Sequence, residues 1–137
     1  VVGRPDVPLP IPSVDDGLGP DCPLNALATG LAALDADEVL VLACDLPGAG
    51  PVLQRLVAAP SVAVDPDGRV QPLCARYSRV VTLAAASRLL AEGNRRLMPL
   101  LGLLAPCSVP VTTVPATAAE LLNVTFPGDL PPPMHEE

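Results

Sequence analysis

Asp45 ends an apolar run, Leu40-Val41-Leu42-Ala43-Cys44, where folding gives no reason for a carboxylate. Held at the C-terminal end of a strand, such a group is placed to bind Mg²⁺ against a triphosphate. The competing duty is helix capping, which Asp performs well. The next helix is expected to begin near Pro51, however, and Gly50 is the nearer cap position. On the residues alone both readings stay open. Asp15-Asp16-Gly17 is a second acidic group, readable as a ligand contact or as a turn ahead of a helix. Arg76, Arg79, Arg95 and Arg96 could meet phosphates. Arg95-Arg96 lies near a predicted helix start, where free amides attract anions, although exposed arginines are ordinarily just solvated. His135 is the one histidine and sits in a Pro- and Glu-rich tail, so no Ser-His-Asp or Cys-His arrangement can be assembled. Cys22, Cys44, Cys74 and Cys107 form no CxxC pair, which argues against structural zinc. Each cysteine is expected to be a buried, reduced thiol in an apolar neighbourhood.

The elements that must position these groups belong to one domain, since the chain has 137 residues. With 50% apolar residues but only Tyr77 and Phe126 aromatic, the predicted core is aliphatic and offers no platform for stacking bases. The formal charge is −7 and every basic residue is Arg, so phosphate backbones are repelled and general nucleic-acid binding is not expected. Prolines 99, 106, 110 and 115 interrupt the longest uncharged run and rule it out as a spanning helix. No signal peptide opens the sequence, and reduced cysteines fit a cytoplasmic protein.

Val1-Val2 reads as the end of a strand, and residues 4–13 as a Pro-rich surface connection. Pro23 suits a first helical position, with Leu24, Leu27, Leu31 and Leu34 at helical spacing. Residues 38–43 are expected to form a buried, central, parallel strand. A second helix starts at Pro51, a short strand covers 62–64, and Asp65-Pro66-Asp67-Gly68 is a turn. Residues 70–77 read as a strand in which Pro72 demands an edge or irregular position. A helix over 80–92 stops at Gly93-Asn94, and a shorter helical piece covers 95–104. Residues 109–114 read as a strand, and 121–125 as a further candidate. Residues 1–130 would form the domain, with 131–137 a disordered tail. The alternation predicts a Rossmann-like α/β fold, an open and mainly parallel sheet with helices on both faces. Ligands in such folds bind beyond the carboxyl ends of the strands, which directs attention to Asp16 and to Asp45 in one shared cleft.

Four segments in order resemble the MobA-like nucleotidyltransferases, the molybdenum cofactor guanylyltransferase family. VLACDLP resembles the family's metal-binding strand end, and QPLCARY its Gln-Pro-Leu-Cys-x-x-Tyr strand. GNRRLMPLL resembles a helix start, and NVTFPGDL the terminal Asn-Val-Asn-Thr-Pro-Glu-Asp-Leu. The resemblance implies guanylyl transfer from GTP to molybdopterin with release of pyrophosphate. Asp45 would hold Mg²⁺ between the nucleotide phosphates. Asp16 matches an acidic nucleotide contact, Leu24 and Asn25 fall in the nucleotide-binding helix start, and Asn123 matches the terminal motif. Implied partners are GTP and molybdopterin, with transient contact to other molybdenum cofactor proteins, and neither nucleic acid nor membrane.

The sequence also departs from the family. The family's Gly-rich loop with its Arg and Lys, and the strand before it, precede everything here. The sequence therefore reads as a truncated domain, expected to be inactive and loosely packed alone. Its helix start is Cys22-Pro23-Leu24-Asn25-Ala26, without the family's two glycines. Leu24-Asn25-Ala26-Leu27 also resembles a motif of phospholactate guanylyltransferases, and cytidylyltransferases of the same superfamily are a further branch. A non-catalytic binding remnant of the fold is the reading of another class.

Overall fold

The computed structural model describes residues 2, 14–15, 22–107 and 111–123. Helix α1, Pro23–Ala32, leads into strand β1, Glu38–Leu42. Helix α2, Gly50–Arg55, strand β2, Ser61–Val64, and strand β3, Val70–Ser78, follow. Helices α3, Arg79–Ala91, and α4, Met98–Cys107, precede strand β4, Thr112–Pro115.

The four strands form an open sheet in the order β1-β3-β2-β4. Strands β1, β2 and β4 run one way, and β3 runs against β1 and β2. The sheet is thus a mixed one in the expected α/β fold. The β2–β3 ladder shifts register between Val62, opposite Ala75, and Ala63, opposite Gln71. Pro72, Leu73 and Cys74 bulge out of that ladder, which is how β3 accommodates a residue with no amide to donate.

Side chains alternate across the sheet. Val39, Val62, Ala75 and Tyr77 pack beneath α1, α3 and α4 through Leu24, Leu27, Leu31, Ala86, Leu89, Leu100 and Leu104. Ala63 and Cys74 face the other way, against Leu46, Ala49, Val52 and Ala116. Helix α1 begins with Pro23 at its first turn, as its fixed φ favours. Helix α3 stops at Gly93, φ 81°, whose amide bonds Leu90 while Asn94 bonds Leu89. That doubled closure uses the left-handed conformation glycine tolerates.

Three expectations need correction. Among the described residues β1 is an edge strand whose partner β3 is antiparallel, not a central parallel strand. Its alternation buries Val39 but leaves Leu40 and Leu42 at 50% and 43% exposure, because their face of this edge has no described element over it. Of Cys22, Cys44 and Cys74, only Cys74 is buried; Cys44 is exposed in a turn and Cys22 half-exposed ahead of α1. Finally, residues 118–121 form a turn rather than the start of a strand. Residues 4–13, 124–125 and 131–137 lie outside the described residues, as does Asp16.

Candidate active site

The shared direction of β1, β2 and β4 puts their C-terminal ends on one rim of the sheet. Beyond β1, the Ala43 amide still donates to Leu73, at 2.7 Å, so the ladder holds the chain up to the turn at Cys44-Asp45. Asp45 is half-buried at that turn. Leu46 and Ala49 then anchor the loop from below, at 7% and 0% exposure. Asp45 is therefore carried on a rim fixed at both ends.

Other acidic groups of this structure have evident local duties. Asp65 accepts the amides of Asp67 and Arg69, both at 2.9 Å, and so shapes the β2–β3 hairpin. Glu38 binds the Arg76 guanidinium at 3.0 Å and the Ala59 amide, and the Arg76 bond above all holds its carboxyl below the usual range. That network ties β1, β3 and the α2–β2 connection at the opposite rim. Arg79 donates to the Ala36 carbonyl, and Arg88 pairs with Glu92 on α3. Arg76, Arg79 and Arg88 are thus structural ties; Arg95 and Arg96 are exposed before α4.

Helix α1 precedes strand β1 in the chain, and its Leu31 shares the buried cluster that holds Val39. Cys22 caps α1 without a side-chain bond and no acidic residue occupies the first turn. Leu24 is fully buried and Asn25 is 9% exposed. A ligand at this helix end would meet the main chain of Leu24, not its side chain. Neither Asn25 nor Asp15 is unpartnered. Asp15 is exposed after Val14, which bridges Val2 in parallel. Asn123 is exposed, following the 118–121 turn on the same rim.

Sequence reasoning passed over one group here, the pair Arg55–Glu120. Glu120 accepts from Arg55 at 2.9 and 3.0 Å, and Arg55 also donates to the Pro115 carbonyl. The pair joins residues far apart in the sequence, with no motif to signal it.

Among the described residues no three His, Cys, Asp or Glu side chains converge on a metal position. A single hard carboxylate fits Mg²⁺, which keeps waters and takes substrate phosphates for its remaining positions. It does not fit zinc.

An open α/β sheet binds its ligands beyond the carboxyl ends of its strands, the place Asp45 occupies. Residues 1–106 match the MobA-like NTP transferase domain, and the chain belongs to that family. No curated protein matches the chain significantly. Among solved structures it resembles a protein of Aquifex aeolicus, TM-score 0.69 at 24% identity, covering 84% of this chain and 62% of that one. It also resembles the molybdopterin-guanine dinucleotide biosynthesis protein A of Archaeoglobus fulgidus, TM-score 0.61 at 17% identity, covering 85% of this chain and 63% of that one. These likenesses bear on the fold. The chain spans less than two thirds of either structure.

Proposed function

We propose that this nucleotidyltransferase domain serves guanylyl transfer from GTP to molybdopterin, with Asp45 as the Mg²⁺ ligand. The observation that carries this reading is the half-buried Asp45 in the turn beyond the C-terminal end of β1, in a chain of the NTP transferase family. In the step, a phosphate oxygen of molybdopterin attacks the α-phosphorus of GTP. The bond between the α-phosphorus and the bridging oxygen breaks, and pyrophosphate leaves with that oxygen. Bound Mg²⁺ supplies charge neutralisation to the phosphates. Asp45 would hold the ion at the rim, and the start of α1, at Leu24 and Asn25, would meet the nucleotide. Asp16 and Asn123 complete the proposed set, Asp16 toward the nucleotide and Asn123 toward the pterin side.

The test is transfer of labelled GMP from GTP to molybdopterin by the protein, wild type against Asp45→Asn. Mg²⁺-dependent label transfer to molybdopterin that falls at least 100-fold in Asp45→Asn supports the reading. Transfer from CTP, or to phospholactate, would redirect it to a sister branch. Undiminished turnover in Asp45→Asn would remove Asp45 as the ligand.

A further inference from the structure

Downstream of β4 the chain doubles back. Thr117 and Glu120 form a reciprocal cap: the Thr117 amide donates to Glu120 Oε1 at 3.0 Å, and the Glu120 amide to Thr117 Oγ1 at 3.1 Å. The resulting turn is closed by the Leu121 amide on the Thr117 carbonyl. It lies directly on the loop that carries Asp45. A Cβ placed on Gly48 would stand 2.7 Å from the Ala119 carbonyl oxygen, so the two main chains touch where only glycine leaves room.

What holds this contact is the fork of Arg55. Its two terminal nitrogens take both oxygens of Glu120, and one of them also donates to the carbonyl of Pro115, the last residue of β4. Arg55 is the last residue of α2, the helix that begins where the Asp45 loop ends. Side-chain exposure is 44% for Arg55 and 13% for Glu120. A pair at such a surface contributes little to stability, but two parallel N–H···O bonds fix direction strongly. Folding of α2 is already served by Val52 and Leu56, at 0% and 1% exposure. The fork is therefore directional in effect.

We propose that Arg55 and Glu120 are positioning residues that seat the 117–122 turn on Gly48, setting the Asp45 loop and Asn123 at a fixed separation on one rim. The proposal rests on the reading of Asp45 as a metal ligand only for its consequence in catalysis. At most about 11 Å of extended chain separates Asp45 from Gly48, so a change at Gly48 reaches the carboxylate. Groups on separate segments that hold the two reactants need such a brace, because small misplacements cost large factors in rate.

The test uses the full chain with Mn²⁺ as the probe, comparing wild type, Arg55→Lys, Glu120→Gln and Asp45→Asn by amide NMR. Arg55→Lys keeps the charge and the Thr117–Glu120 cap while removing the fork, so it isolates the brace. In both brace variants the amides of Val62, Cys74 and Tyr77 should keep their exchange protection. Protection at Leu121 and Leu122 should fall at least tenfold. Mn²⁺ should broaden residues 44–46 and 119–123 together in wild type, with broadening at 119–123 reduced at least threefold in the brace variants. Wild-type protection and wild-type broadening at 119–123 in Arg55→Lys would overturn the proposal. Undiminished broadening in Asp45→Asn would instead remove the metal reading, and the exchange data would still decide the brace.

Discussion

The Tyr77 hydroxyl donates to the carbonyl of Pro72, five residues earlier in the same strand, at 2.6 Å. In a straight strand that separation spans roughly 16 Å. The bond closes only because β3 is displaced from β2 around residues 72–74, and it pins the bulge to a side chain that is itself fully buried.

Removing that hydroxyl tests the pin. Tyr77→Phe keeps the ring's packing and deletes the bond, with an expected loss of about 1 kcal/mol in urea unfolding. Alkaline behaviour gives a second measure. Burial pushes the Tyr77 phenol above its ordinary value of 10. Its folded form therefore holds the proton more tightly than the unfolded chain does, and stability falls as pH rises beyond about 10. With no lysine in the chain and a single tyrosine, this slope should dominate above pH 10 and be missing in Tyr77→Phe. Cys74, its thiol also raised by burial, adds a slope beginning near its ordinary value of 9 in both proteins.

Gly48 and Gly50 make an informative pair. Alanine at 48 meets the Ala119 carbonyl, whereas alanine at 50 meets nothing within 4 Å. Gly48→Ala is expected to destabilise by about 1–3 kcal/mol, as forced overpacking does. Gly50→Ala is expected to be neutral or to stabilise by up to about 1 kcal/mol at the start of α2. Thermal unfolding of the two variants, with amide shifts of Ala119–Leu122 moving only in Gly48→Ala, checks both halves.

Acid should loosen the turn that Gly48 supports. The Arg55 fork, followed by the Thr117 amide, holds the Glu120 carboxyl down to about 2, against an ordinary value of 4.5. A carboxyl depressed on folding contributes stability that is complete above its unfolded value and is lost as pH falls toward its folded value. The gap in Tm between wild type and Glu120→Gln should thus stay constant from pH 6 to 8 and close between about pH 4.5 and 2. A gap that widens in acid would contradict the assignment.

Thiol chemistry separates the cysteines. Cys44 is exposed beside Asp45, and Cys74 is buried with its thiol raised first by desolvation and then by Glu120. Thiolates are the reactive species, so iodoacetamide at pH 8 should label Cys44 well ahead of Cys74. Peptide mass mapping reads the order, and Cys74 should become reactive only on denaturation.

Much of the fold was legible because local signals agreed with it. Pro23 and the leucine spacing marked α1, Gly93-Asn94 marked the end of α3, and Pro72 announced the irregular place it occupies. The standing of β1 was not legible. An apolar run reads as buried on both faces, but burial depends on neighbours that the run does not name, and Leu40 and Leu42 are left exposed. For the candidate site, the strand-end rule located Asp45 from one segment alone. Arg55 and Glu120 escaped notice because a pairing between distant segments carries no spacing signature, and each residue by itself looks like an ordinary surface charge.

The strand order has a consequence for synthesis. In the sequence β1 and β2 both come before β3, but in the sheet β3 lies between them. As the chain leaves the ribosome, β1 and β2 have no partner in one another, and the first of the ladders among the four described strands forms only when Val70–Ser78 has emerged. A nascent chain stalled before Val70 would expose both strands, while one released after Ser78 could already close three of the four.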